Sequence, residues 1–519
     1  MRDNINSNDL FNIRLNQFIS VLVLLFVTST LLADVFFISP DGDDNNSGET
    51  EKSPWKTFAY SLSEITSGDE LVLLDGFYSS GAGTGGIHWD TKIYPDSGQI
   101  PSGLNLKQQT IVRAKNPGRV FVDVSLIIGR KNRKDSYIKI QGITFKGGHL
   151  YNSSYITIKD TGFSDRFVIG TNDHNYDNSY NLIEDVWVWA SQRRIIAMNY
   201  RSNNNVWRRV VVRGDGCNMK QCTGSGNPNV GFTVYDSSDI SVQNVIVIDR
   251  ILRGGKGYAD FATAQHTKEK NYLGRNEWLG IISVNSEDNA VVFEADNVIP
   301  DVFTWKIKNA LVLDAKGGGI DIGNKPYNTV TENVIENSTV ILSKGSRSDG
   351  IRLAPGQNVS LVSNNIVVNA GRFAINSASE FSHVITHNAQ SAHYNQAKCT
   401  SGCYKVNPFN PILGIWGSEL YEPTKIEESS RYKGKGKAGK DIGANIIYRY
   451  GVDGSRFGED GFNKLTEKKL WPWPNEKVIL NQMCLSRKSP VCLSTEISKN
   501  SKPSISNYIN NYLKTHVLK

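Results

Sequence analysis

The sequence predicts an all-β solenoid, a parallel β-helix, and three observations predict it. First, one short pattern returns between residues 137 and 369: an Asn, Ser or Asp, a stub of alternating apolar residues, two or three polar residues, and a second such stub. Its copies are DSYIKIQGITFK from Asp135, SSYITIKDTGFS from Ser153, YNLIEDVWVW from Tyr180, NNVWRRVVVR from Asn204, SDISVQNVIVID from Ser238, FTWKIKNALVLD from Phe303, YNTVTENVIENSTVIL from Tyr327 and QNVSLVSNNIVVN from Gln357. Alternation of this kind is the period of a strand. Second, Gly, Asn and Ser fill the intervals instead of helix-forming runs, which argues against two-helix repeats. Third, a unit of two or three very short strands cannot bury its own apolar face, so units must stack at about 4.8 Å, each pairing its backbone with its neighbours. An antiparallel sandwich is the alternative. The lack of Asn-Gly hairpin signals between stubs, and a repeat that ends in Asn followed by two alternating apolar positions, disfavour it.

The elements follow in order. Residues 1–33 read as a secretory signal: Phe18 to Ala33 is one apolar run, preceded by Arg2 and Arg14. Cleavage is expected after Ala33, with an uncleaved anchor as the alternative because Asp3 and Asp9 precede the run and Leu31 is large. The export this implies puts the protein outside the cytoplasm, secreted or periplasmic, with no stable membrane span after cleavage.

Residues 34–80 form an N-terminal module. Ser53 is placed to cap a helix with Pro54 at its first position, and Trp55, Phe58, Leu62 and Ile65 share one face. With a strand from Glu70 to Leu74, this helix is suited to cover the open end of the stack. The β-helix occupies residues 81–417, and residues 418–519 form an irregular closing segment. The cysteines fall in three close pairs, Cys217 with Cys222, Cys399 with Cys403 and Cys484 with Cys492, read as local disulfides in an exported chain.

The segment carrying Ser39-Pro-Asp-Gly-Asp43, Ser53-Pro-Trp-Lys-Thr57, Ser67-Gly-Asp69 and Asp75-Gly76 resembles the first module of bacterial secreted right-handed parallel β-helix proteins of the polysaccharide-lyase-like, or pectin lyase-like, superfamily. A tail from Asp441-Ile-Gly-Ala444 through Tyr448-Arg-Tyr-Gly-Val-Asp-Gly454 to Leu470-Trp-Pro-Trp-Pro-Asn-Glu476 resembles the closing segment of one branch of those proteins. The resemblance spans most of the chain beyond residue 34. It implies a right-handed coil and a carbohydrate-active protein, by preference a polysaccharide lyase working by β-elimination on a uronate polymer. These motifs report architecture, and no catalytic motif of a known lyase matches residue by residue.

Charge is mildly basic, 58 Lys plus Arg against 51 Asp plus Glu, with one concentrated run, Arg431-Tyr-Lys433-Gly-Lys435-Gly-Lys437-Ala-Gly-Lys440. That balance suits an acidic polysaccharide as well as DNA or an anionic cell surface, and does not demand nucleic acid. The chain is expected to be monomeric.

On a stack, equivalent positions of successive coils form columns, and two stand out. One reads Arg213, Asp249, Asp314 as successive members, which raises a Ca²⁺ site with Asp249 and Asp314 as ligands, against turn-capping aspartates as the alternative. The other aligns KGGGIDIG, RSDGIRLA and GRFAINSA from Lys316, Arg347 and Gly371, stacking Asp321, Arg352 and Asn376 and setting Lys316 beside Arg347 to face an anion. In this alignment Asp321 and Asp349 stand ready either to neutralise that basic pair or to form a carboxylate pair. The long interval from Asp249 to Trp278 is a candidate groove wall.

For β-elimination, Lys256 is the expected base, Arg250 and Arg347 the carboxylate clamps, Lys316 a further cation and His266 a reserve catalyst. Arg213, Arg253, Tyr258, Trp278, Asp321 and Arg352 are the expected substrate contacts. A noncatalytic adhesin or polysaccharide-binding protein remains the rival reading.

Overall fold

Among the described residues, the coils from Thr110 to Asn395 each turn through three strand faces whose backbones pair in parallel with the coils before and after. In the computed structural model, residues 33–173, 176–189, 195–214, 229–250, 257–266, 275–295, 304–323, 333–354, 361–377, 379–406, 426 and 428–485 are described. A sheet of 22 strands wraps two faces of the stack, because long strands such as Leu182–Val188, Val206–Arg213 and Leu361–Val368 bend through both. A sheet of 11 strands makes the third face. The first sheet leads each coil, the second follows, and the third closes it. The fold is thus the parallel β-helix that the repeats predict.

Inward-pointing side chains stack in register. Val112, Ile140, Ile158, Ile183, Trp207, Val242, Trp278, Ile307, Ile335 and Val362 are successive partners in the first sheet. All belong to one continuous buried core. Corners between strands are turned by residues with left-handed backbones, among them Asn244, Asn285, Asn309, Asn337 and Asn364. Asn and Asp tolerate that conformation because their short side chains bond locally, which is why they punctuate every repeat.

The N-terminal module contributes the first strand, Val35–Ile38, paired with Glu70–Leu73, and a helix, Phe58–Glu64, between them. The helix begins later than Ser53 predicts. Trp55 is drawn into a parallel bridge with Ile38 and so stays extended, and Thr57 becomes the cap, its hydroxyl accepting from the Tyr60 amide at 3.1 Å. Trp55, Phe58, Leu62 and Ile65 are all buried in the main core, as their shared face requires.

The closing segment lies along the side of the stack. Residues 426–485 form a strap running back toward the N-terminal coils. Its contacts descend the solenoid, apart from one antiparallel return of Leu465–Lys469 along Tyr448–Tyr450 that carries Asn463 back to Glu277: Lys437 N to Asn364 Oδ1 (2.6 Å), Ala444 N to Thr339 Oγ1 (2.9 Å), Tyr450 N to Asn244 Oδ1 (2.7 Å), Val452 O from Arg208 Nη1 (2.7 Å), Asn475 Nδ2 to Asp160 Oδ1 (2.7 Å) and Gln482 Nε2 to Thr144 Oγ1 (2.9 Å). Beneath it, the outward residues of the second sheet, including Ile246, Ile282, Leu311, Ile341 and Ile366, pack against Ile442, Ile446, Leu470, Trp471, Trp473 and Leu480. Both faces of that sheet are therefore dry.

Two arginines sealed under the strap are held by carboxylates. Arg208 and Arg209, both fully buried, meet Glu184 at 2.9 and 3.4 Å, and Arg209 also meets Asp185 and Asp453. Gly451 passes so close that a Cβ there would lie 2.3 Å from Gln243 Oε1 and 2.4 Å from Arg208 Nε, and its φ of +75° is left-handed. Only glycine fits that passage.

Candidate functional site on the third sheet

The third sheet changes character along its length. The outward row Thr233, Ala262 and Val292 is buried, whereas its continuation, Asp321, Arg352, Asn376 and Asn395, is half-exposed. The register is unbroken: Val292 pairs with Asp321, Asp321 with Arg352, Arg352 with Asn376 and Asn376 with Asn395. Strand pairing thus sets a polar row, one residue per coil, on a frame that cannot drift. Arg352 Nη1 donates to Asp321 Oδ1 at 2.7 Å, and Asn395 Nδ2 to Asn376 Oδ1 at 3.1 Å.

Around this row the charges do not cancel evenly. Burial pushes the Asp321 carboxyl up; Arg352 pulls it back, while Asp349 and Glu294 add to the rise. Tyr258 stands beside Glu294, and burial followed by that carboxylate drives its phenol far above the usual range. Asp349 is nearly buried and accepts from Arg372 at 2.7 Å, Asn376 at 2.9 Å and the Phe373 amide at 3.2 Å. Lys316 meets Glu287 at 2.5 Å. Lys344 and Arg347, in the turn that leads into the Arg352 strand, are exposed and make no ion pair among the described residues. A row of hydrogen-bonding groups, one carboxyl among them raised by burial, thus shares its coils with two uncompensated cations in the preceding turn.

No protein-family model matches the chain, and no curated protein matches it. Among solved structures it is similar to the pectate lyase Pel9A (11% identity, 79% of this chain and 95% of that chain, TM-score 0.39). It is also similar to XylC in complex with xylose (8% identity, 72% and 87%, TM-score 0.43) and to a rhamnogalacturonan lyase (14% identity, 84% and 97%, TM-score 0.35). The strand register given above makes the chain a parallel β-helix.

The strand part of the expected second column holds: Ile320, Ile351 and Ile375 are register partners, so Asp321, Arg352 and Asn376 stack; Lys316 does not meet Arg347, because Ala315 pairs with Leu342 and the turn from Ser343 to Asp349 is longer than its counterpart. Its charge pairing differs from both expected roles for the aspartates. Glu287 compensates Lys316, while Asp321 and Asp349 are committed to Arg352 and Arg372. Glu287 and Arg372 went unnoticed in the sequence, although each falls at or beside the aligned position of its coil.

The first column is corrected. Asp249 and Asp314 are not successive, because Asn285 lies between them: Ile248 pairs with Val284 and Val284 with Leu313. Asp249, Asn285 and Asp314 all have left-handed backbones (φ 52°, 58° and 60°), and Asn285 Nδ2 donates to Asp249 Oδ1 at 2.9 Å. They are turn formers, as the alternative had it. Two strand spacings separate the aspartates, about 9–10 Å between backbones, with an amide between, whereas calcium ligands sit within about 2.6 Å of the ion. Among the described residues, no three His, Cys, Asp or Glu side chains gather as a metal cluster.

Three of the expected catalytic and substrate residues lie inside. Trp278 is a fully buried member of the inward column and offers no surface to a substrate. Arg250 is fully buried, its Nε donating to Asp260 Oδ1 at 2.6 Å and its Nη2 to Ser286 Oγ at 2.8 Å, so it holds the coil together instead of clamping a polymer. Arg213 is sealed beneath the strap, donating to the Met483 carbonyl at 3.2 Å.

Within the groove wall expected from Asp249 to Trp278, Ala259–Gln265 is a third-sheet strand and Asn276–Leu279 opens the next coil; residues 251–256 and 267–274 lie outside the described residues. His266 follows that strand at the far edge of the third sheet, its ring 5.2 Å from that of Tyr235, away from the Lys344 and Arg347 turn. Lys256 and Arg253 lie outside the described residues, as do residues 1–32, Cys217, Cys222 and Cys492. The Cys484 side chain is outside them too. Cys399 and Cys403 form the expected disulfide. Among the described residues no helix is long and apolar enough to cross a membrane.

Proposed function

We propose that the protein is carbohydrate-active and takes an acidic, uronate-containing polysaccharide along the open end of the third sheet, with β-elimination as the reaction. The observation that carries the reading is the pair of uncompensated cations, Lys344 and Arg347, beside the row Asp321, Arg352 and Asn376. A polymer presents one carboxylate and several hydroxyls per unit. The row offers one hydrogen-bonding group per coil, and the rim offers charge of the opposite sign.

In this reading Arg347 and Lys344 neutralise a uronate carboxylate, which acidifies the proton on the carbon beside it. A base removes that proton, the bond to the glycosidic oxygen breaks, and the electron pair forms a carbon–carbon double bond. Asp321, its carboxyl raised by burial and by Asp349 and Glu294, supplies a proton to the departing oxygen. Lys256 remains the base expected from sequence.

The test is the ultraviolet absorbance of an unsaturated uronate during incubation of residues 34–519 with polygalacturonate, alginate and hyaluronate. A rise is expected, with kcat/KM reduced roughly a hundredfold in a Lys344→Ala, Arg347→Ala double variant. A flat trace over all three polymers, with binding retained, sinks elimination and leaves a polysaccharide-binding protein.

A further inference from the structure

The one concentrated basic run of the sequence is not part of the third-sheet row. It lies on the strap, at the corner shared by the first and second sheets, which faces away from the third. Arg431 packs its guanidinium 4.8 Å from the ring of Tyr432, and Lys433 is spent on Asp441 (2.8 Å) and Glu428 (3.0 Å). Lys435, Lys437 and Lys440 are exposed and make no ion pair among the described residues.

The backbone that bears them is fixed: Lys437 N donates to Asn364 Oδ1 at 2.6 Å, Gly436 N to the Lys440 carbonyl at 2.6 Å, and Gly434 N to Asp441 Oδ1 at 2.9 Å. Like charges are thus held on one short hairpin-like turn, a cost that a freely solvated tail would relax by spreading.

Behind the turn is a cleft of about 550 Å³, within the range of small-ligand sites. Its lining includes Asn309 and Asn337, stacked on successive coils, together with Lys440, Tyr448 and Leu465. Asn337 Oδ1 accepts from Asn364 at 3.0 Å, while its Nδ2 has no protein partner among the described residues. Leu465 is 47% exposed, a large apolar side chain left open at the rim. Lys469 lies 5.0 Å from the Tyr448 ring centroid and orients that ring. A phosphate or simple anion would use the lysines alone. An aromatic ring, an exposed leucine and the Asn337 amide donor beside free ammonium groups match a sugar ring that carries a carboxylate.

We propose that this cleft and its lysine turn form a second binding site, for a segment of acidic polysaccharide. The inference rests on the acidic-polysaccharide reading for its ligand class alone, and shares no residue with the third-sheet row. Because the two sites face different sides, one protein holds two stretches of polymer, and the second raises retention on the polymer through multivalency.

The experiment is direct titration of the full chain with polygalacturonate at low salt, with dextran as the neutral control. Three variants are compared: Lys435→Gln with Lys437→Gln and Lys440→Gln, Tyr448→Ala, and Lys344→Ala with Arg347→Ala. The triple lysine variant is expected to weaken binding roughly tenfold, and Tyr448→Ala to weaken it while its thermal midpoint stays near that of the parent. In the parent, polygalacturonate should protect Lys435, Lys437 and Lys440 from acetylation but leave Lys107 reactive, a readout independent of any variant.

Unchanged affinity in the triple variant, with loss in the Lys344 and Arg347 variant, overturns this inference and leaves the third-sheet reading standing. Unchanged affinity in both removes both. Sensitivity to the lysines without sensitivity to Tyr448, or equal affinity for duplex DNA, shows an unselective polyanion patch and overturns the sugar assignment.

Discussion

Glu184 shows what a single residue contributes beneath the strap. Burial alone would raise its carboxyl, but Arg209, Lys159 and the Gly454 amide together hold it at about 2, against 4.5 when free. Because the folded value lies below the unfolded one, the stabilisation is complete above about pH 4.5 and fades as pH falls toward 2. It amounts to about 3 kcal/mol. Glu184→Gln should therefore lower urea stability at neutral pH and flatten its decline between those limits. Arg250 makes a parallel case inside the coil: removing it strands the fully buried Asp260, whose carboxyl burial already pushes up, so Arg250→Ala should cost about 3–5 kcal/mol of unfolding free energy. Neither role was legible in the sequence, where Arg250 reads as a loop cation. A charged residue announces its charge but not which side of the backbone it faces, and Asp260, its partner, occupies a strand that the repeat pattern did not reveal.

At the scale of elements, pairs of apolar residues at alternate positions were enough to find most strands, because inward and outward positions differ chemically in the first sheet. One coil hides from the pattern. NEWLGIISVN, from Asn276, carries the same signature, but it overlaps the end of what reads as a long loop. The second sheet held a further signal. Runs such as Val245-Ile-Val-Ile248 and Ala310-Leu-Val-Leu313 do not alternate, as expected of strands buried on both faces, and they imply a cover that only the strap supplies. Truncation before residue 426 should accordingly leave an insoluble chain or one that binds a hydrophobic dye. Within the strap, Trp471 is buried with its indole donating to the Ile446 carbonyl at 2.9 Å, so Trp471→Ala should lower stability by about 3–5 kcal/mol. Gly451→Ala, which adds one methyl group against Arg208, should loosen the same element and speed proteolysis between residues 426 and 485 while the coils stay protected.

For the whole molecule, fold was far more legible than site. Stacking follows from a local period repeated many times, whereas the third-sheet row depends on which coil is exposed, and Thr233 and Asp321 look equally outward in sequence. If Asp321 donates a proton, turnover should fall at lower alkalinity than for an ordinary base-limited elimination, since its raised carboxyl gives up the proton as pH climbs; Asp321→Asn should remove that limb of the pH profile. The strap's contacts touch coil after coil, from Asn364 down to Thr144, each at a fixed place along its own sequence. Solenoids readily gain or lose a turn by duplication, since each turn meets only its neighbours. This one carries a ruler. A chain with one coil added between Thr157 and Asn364 would still stack, yet every latch on one side of the insertion would fall out of step. The number of turns is thereby written twice in the sequence, once as repeats and once as the length of the segment that measures them.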